Sequence, residues 1–155
     1  MYGKYAMEID GIGLELVYGV QTGNAGQVTG SNYNDLDETA YSAKITYAGV
    51  EIDYRKNEAG NSGYIKNGTI GNDEGSTVCA VYGAGNFRVG ACNAETSFTD
   101  TSNFTNSTTK RTYSADYSLG GGMTLGAVYF DYEQVANSTT RTDVEGLMTM
   151  ISVGF

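Results

Sequence analysis

The chain has no histidine, no proline and no tryptophan, and only two cysteines among its 155 residues. Without an imidazole there is no ready base to activate a hydroxyl. No Gly-x-Ser-x-Gly motif occurs either, so hydrolase and acyltransferase chemistry is not expected. An Asp/Glu-only mechanism would need a defined pair of carboxylates, and the sequence specifies none. Two cysteines without histidine fall short of a metal site. Gly83-Ala84-Gly85 is followed by neither dinucleotide nor P-loop spacing, so no cofactor is expected. Cations are scarce: 9 Lys and Arg stand against 18 Asp and Glu, a net charge of -9. No basic patch can neutralise phosphates, which excludes nucleic acid as a partner. There is no run of 18 apolar residues, so no transmembrane helix is available. A spanning strand needs only about 9–11 residues with every second one apolar, so a membrane sheet stays open. Met1-Tyr2-Gly3-Lys4-Tyr5 runs into a strand pattern with no signal peptide ahead of it. An exported protein of this sequence is therefore expected to be numbered from its mature start, or to be a fragment.

What is present is glycine (22) and tyrosine (13), with a mean hydropathy of -0.31. Tyrosine is apolar along its body and polar at its tip, which suits a membrane–water interface. Period-two alternation predicts nine strands, at 2–9, 12–21, 39–47, 50–57, 76–84, 87–98, 110–119, 123–133 and 142–155. Short turns fall at Asp10-Gly11, Ala48-Gly49, Gly85-Asn86 and Gly120-Gly121-Gly122. Longer Asn/Gly/Ser/Thr-rich connections fall between them, at 22–38, 58–75, 99–109 and 134–141.

Alternation and turn length agree hairpin by hairpin. Across Asp10-Gly11, Ile9 meets Ile12, with Tyr5, Met7, Leu14, Leu16 and Tyr18 on the same apolar face. Across Ala48-Gly49, Tyr41, Ala43, Ile45 and Tyr47 meet Val50, Ile52 and Tyr54, and Lys44 falls opposite Asp53. Val78, Ala80 and Tyr82 face Phe87, Val89 and Ala91. The fourth hairpin needs a three-residue loop to bring Tyr113, Ala115, Tyr117 and Leu119 onto Met123, Leu125 and Ala127. Within 123–133, Val128, Phe130 and Tyr132 compete with Tyr129 and Asp131 for the apolar face, which suggests a bulge or exposure above a membrane.

Two architectures fit such strands. A soluble antiparallel sandwich would pack its apolar faces together; a transmembrane β-barrel would turn them to lipid. Charges on the polar face, minimal connections on one side and Tyr/Phe near strand ends favour the barrel. The closing strand, Val144 to Phe155, ends on an aromatic and resembles the last strand of bacterial outer-membrane barrels. Thr39-Ala40-Tyr41-Ser42-Ala43-Lys44-Ile45-Thr46-Tyr47-Ala48-Gly49 and Tyr117-Ser118-Leu119-Gly120-Gly121-Gly122-Met123-Thr124-Leu125-Gly126-Ala127-Val128-Tyr129-Phe130-Asp131 resemble carboxy-terminal segments of Gram-negative general porins of the proteobacterial type. The likeness spans roughly 39–155. It implies an all-β antiparallel transmembrane barrel in the bacterial outer membrane, with residues 1–155 a single barrel domain or the last nine strands of a 16-stranded one. It also implies passive diffusion of ions and small hydrophilic solutes, contacts with outer-membrane lipid and lipopolysaccharide, and homotrimerisation of the full-length protein. Phe155 is the implied signal to the outer-membrane assembly machinery. The alternatives are a small closed barrel with a structural or adhesive role (eight strands if 2–9 does not span) and a soluble β-rich adhesin domain.

For a pore, the working residues are charges on the lumen face: Lys4, Glu15, Lys44, Glu51, Asp53, Arg55, Arg88 and Asp116. The same charges can instead pair across strands, as Lys44 with Asp53, and stabilise by about 0.2–1 kcal/mol. Asp35, Asp37, Glu38, Glu58, Asp73, Glu74 and Asp100 are expected in external loops, where they would make the mouth negative and favour cations. Asp35-Leu36-Asp37-Glu38 lacks a calcium-loop glycine and is expected to be solvated. Cys79 and Cys92 fall opposite one another across Gly85-Asn86, at a non-hydrogen-bonded position on the Arg88 face. A disulfide or a pair of adjacent thiols is expected there. The sequons at Asn67, Asn103, Asn106 and Asn137 carry no weight in loops so rich in Asn and Thr.

Overall fold

The structure, a computed structural model, describes residues 1–25, 32–66, 71–100, 102 and 104–154. Among these there are nine strands and no helix. They are β1 (Tyr2–Ile9), β2 (Ile12–Gly23), β3 (Leu36–Tyr47), β4 (Val50–Gly60), β5 (Gly71–Ala84), β6 (Phe87–Thr99), β7 (Thr105–Gly120), β8 (Met123–Ala136) and β9 (Thr140–Val153). All are antiparallel and form one sheet in chain order. Tyr, Val, Ile and Thr, which suit a pleated half-covered surface, recur along every strand.

The short-turn ends match the sequence reading, whereas the other ends run further than alternation suggests. β5 begins at Gly71 and β7 at Thr105, because the Asn, Asp, Glu and Gly of one extension and the Thr, Asn and Ser of the other can continue a ladder without showing a two-faced pattern. The last connection shrinks to Asn137-Ser138-Thr139, so the expected strict alternation of short and long connections fails there. The fourth hairpin also differs from expectation. Gly120 stays in β7 opposite Met123, the turn is Gly121-Gly122, and a bulge between Ser118 and Gly120 takes up the extra residue. Tyr117 still meets Leu125. Within 123–133 itself no residue of β8 bulges, and its ladders to β7 and β9 run unbroken from Thr124 onward.

Two glycines explain how adjacent turns fit together. Gly49 has φ +83°, and a Cβ on it would lie within 2.4 Å of the Gly83 carbonyl oxygen, whose own amide donates to Gly49 O at 2.9 Å. Gly122 (φ +79°) stands in the same relation to Gly154. Any side chain at either position would combine backbone strain with a collision. At the opposite end the connections are folded onto one another. Tyr33 and Ile65 form a β-bridge, and the Ser62 hydroxyl donates to Asp37 O while accepting from Asp37 N.

The sheet is a single layer. Each strand contacts only its neighbours in the sheet, and no hydrophobic side chain among the described residues is buried. The total accessible surface is 10398 Å², whereas a compact protein of this mass (16.5 kDa) exposes about 7,500 Å². No second sheet packs on the first, so the sandwich arrangement is not formed. Nor is the sheet closed into a barrel: among the described residues β1 and β9 are both edges, as a nine-stranded part of a larger sheet would have.

Candidate functional site

Register and strand pleat together decide which residues share a face. One face is apolar across the whole sheet: Met7, Leu16, Ile45, Ile52, Ala80, Val89, Ala115, Leu125 and Ile151 represent one strand each. Its tyrosines gather in belts. Tyr18 faces Tyr41, Tyr41 and Tyr54 have ring centroids 6.3 Å apart, and Tyr113 and Tyr129 lie 6.2 Å apart. Tyr47, Tyr82 and Phe87 sit nearer the short turns.

All eight charges proposed from sequence fall on the opposite face. They do not all meet. Lys4 Nζ lies 2.8 Å from Glu15 Oε2, and Lys44 Nζ approaches the same oxygen at 4.0 Å. Asp53 pairs with Arg55, whose Nη2 and Nε lie 2.6 and 2.7 Å from Asp53 Oδ2. The expected Lys44–Asp53 ion pair is therefore not made, although the two are register partners. The guanidinium reaches along its own strand with two donors, while Lys44 leans to the other side. Arg88 lies opposite Asp116 without an ion pair between them, and Glu51 stands between Thr46 and Val81. Cys79 and Cys92 are register partners with Cα atoms 4.1 Å apart, and their sulfurs are bonded.

A single line of cross-strand partners summarises this face: Glu15, Lys44, Asp53, Cys79, Cys92, Thr112, Phe130 and Gly146. It is charged at the β2–β4 end, disulfide-bonded at its centre and apolar at the β8–β9 end. There Val128, Tyr132, Met148 and Met150 flank Phe130. The Phe130 ring lies over Gly146, where a Cβ would come within 2.6 Å of it.

Several acids expected in loops are in strands. Asp37 and Glu38 belong to β3, Glu58 to β4, and Asp73 and Glu74 to β5. Asp35 accepts from the Ala25 amide at 2.9 Å. Asp100 accepts from the Ser102 and Phe104 amides at 2.9 and 3.0 Å and from Asn106 Nδ2 at 3.3 Å. These bonds, that from Phe104 foremost, hold its carboxyl below the usual carboxylate range. The Tyr64 hydroxyl donates to Asp73 Oδ2 at 2.8 Å, which raises its own pKa. Asn106 accepts the Asn137 amide at 2.9 Å. Asn67, Asn103 and Phe155 lie outside the described residues.

One feature escaped the sequence reading. Beyond the tyrosines, the apolar face becomes an ion-paired collar. Lys56 pairs with Glu58 and Glu74, Arg111 with Asp131 at 3.0 Å, and Arg141 with Glu133 and Asp143 at 3.1 and 3.0 Å. The available signal was the abrupt replacement of apolar by charged residues at unchanged parity, as from Tyr129 to Asp131 and Glu133. No group of three or more metal-ligating side chains gathers among the described residues. Compared with protein-family models, curated proteins and solved structures, the chain matches none.

Proposed function

We propose that this sheet is wall of an outer-membrane porin, its apolar face toward lipid and its charged face toward a water-filled channel for ions and small hydrophilic solutes. The observation that carries this reading is a continuous apolar surface over nine strands in a layer that has no core of its own. Tyr5, Leu16, Ile45, Ile52 and Leu125 are all between 42 and 57 % exposed, an area that water disfavours and hydrocarbon accepts. Tyr41 and Tyr47 lie about 20 Å apart along β3 at roughly 3.3 Å per residue. The two tyrosines bracket the apolar stretch of β3, as paired aromatic girdles do. Lys4, Glu15, Lys44, Asp53 and Arg55 would then line the water side and bias ion passage.

A second reading, a barrel whose interior is filled and which acts structurally or adhesively, is favoured by one observation. The face that carries charge on β1–β4 carries Val128, Phe130, Met148 and Met150 on β8–β9. Reconstitution into planar bilayers separates the readings. Insertion with stepwise conductance supports the pore, and insertion without conductance supports the filled barrel. A monodisperse soluble protein that ignores detergent and vesicles excludes both and leaves a soluble β domain.

A further inference from the structure

The Cys79–Cys92 bond closes a hairpin that a two-residue turn and an unbroken ladder near that turn already hold. Its value lies in how poorly the rest of that hairpin specifies its own pairing. Between β3 and β4, Ile45 meets Ile52, Tyr47 meets Val50 and Ser42 meets Arg55. Displacing those partners by two residues would widen the turn to Thr46-Tyr47-Ala48-Gly49, with a β-branched and an aromatic residue inside it. Between β5 and β6 the partners are Ala80 with Ala91, Val81 with Gly90 and Gly83 with Arg88. A two-residue slip there keeps every side chain on its own face. It brings Tyr82 opposite Phe87 and Ala80 opposite Val89, and widens the turn to Gly83-Ala84-Gly85-Asn86, two of whose four residues are glycines. Neither the two-faced pattern nor the composition of the widened turn opposes that slip.

The cysteines do oppose it. In the observed register they are direct partners; after a slip they become diagonal neighbours about 7–8 Å apart, beyond the reach of a disulfide. We propose that the Cys79–Cys92 disulfide is a redox-dependent register lock, which holds the central β5–β6 pairing of the sheet in its observed alignment. β5 also pairs with β4, and β6 with β7, so a slip here puts the first five strands out of step with the last four. A small dithiol releases the lock. The sulfur–sulfur bond takes up two electrons and two protons to give two thiols, and the reagent closes to its own disulfide. Both cysteines are half-exposed, so the bond can be reached from the polar face. This inference concerns pairing within the sheet and holds whether or not the sheet lines a pore.

The test compares slipped-register reporters formed by oxidation after folding in reductant. Thr77→Cys with Cys79→Ala, Cys92 being kept, bridges only if β5 and β6 slip by two residues. Ser42→Cys with Asp53→Cys, on a Cys79→Ala/Cys92→Ala background, reports the same slip between β3 and β4. The bridged fraction of the first is expected to exceed that of the second by about five-fold or more, as measured by peptide mass spectrometry. Equal fractions overturn the lock. If the Cys79→Ala/Cys92→Ala chain loses its β-sheet circular dichroism, a relocated bridge decides. Recovery on oxidation of added Thr77→Cys/Ala94→Cys, which are native register partners, upholds the lock; no recovery overturns it.

Discussion

The two ends of one face differ more than its two sides would suggest. On β1–β4 the face opposite the apolar surface carries Lys4, Glu15, Lys44, Asp53 and Arg55, joined in two ion-paired groups. On β8–β9 the same face carries Val128, Phe130, Met148 and Met150. Leu147 and Ile151, 70 and 69 % exposed on the other side of β9, make that strand apolar on both faces. A strand of that kind is ordinarily covered on both faces. The charged end is complete with water against it, whereas the β8–β9 end is complete only with something apolar against it. Alternation therefore guarantees one apolar face and leaves the chemistry of the other to vary across the sheet.

The largest expected effect separates the two sides at neighbouring positions. If the apolar face meets lipid, Ile45→Arg, between Tyr41 and Tyr47, lowers folding stability in bilayers by about 2–4 kcal/mol and Thr46→Arg by less than about 1 kcal/mol. Urea titration of vesicle-inserted protein measures both, and equal losses would remove the distinction between faces. At the apolar end, Phe130→Ala is expected to cost about 2 kcal/mol, roughly half the loss of a fully buried aromatic. Gly146→Ala, which displaces the same ring, is expected to cost about 1 kcal/mol. Non-additivity in the double variant would locate both effects in that one contact.

At the charged end the effects are smaller. Glu15→Gln removes the anion shared by Lys4 and Lys44. A change of about 0.2–1 kcal/mol is expected, together with a shift of any single-channel current toward anions. A substitution that moved stability by several kcal/mol would mean this end is packed rather than solvated. The smallest effect is a titration outside both regions. The Asp100 carboxyl is depressed below 3.8, so its grip on the Ser102 and Phe104 amides is fully present above that value. The grip is lost as pH falls through the lower folded pKa. Those two amide resonances should move with a midpoint under 3.8 and stop titrating in Asp100→Asn.

Much of this was legible in the chain because its signals are local. Asp10-Gly11 and Ala48-Gly49 place their flanking residues in register, and both central residues of each turn have positive φ (51° and 77°, 49° and 83°), as tight hairpins demand. Cys79 and Cys92 could be set opposite one another by counting outward from Gly85-Asn86. The ion-paired collar was hidden because Glu58, Glu74 and Arg141 fell in expected connections, which left Lys56, Glu133 and Asp143 without their partners. Ser62 on Asp37 and Tyr33 on Ile65 were invisible for a different reason: they join segments with no common periodicity.

Sequence alone determined the number of strands, their order of reversal, the first three short turns, and which side chains share a face outside 123–133. Those properties follow from a repeat of two residues and from the φ that a turn residue can adopt, both set within a few positions of chain. Only the tertiary structure decided that Arg55 rather than Lys44 takes Asp53, that Phe130 lies over Gly146, and that β1 and β9 remain unpaired edges. Each of these depends on the distance and direction between strands, and a side chain or an edge has several partners in reach until the sheet is assembled.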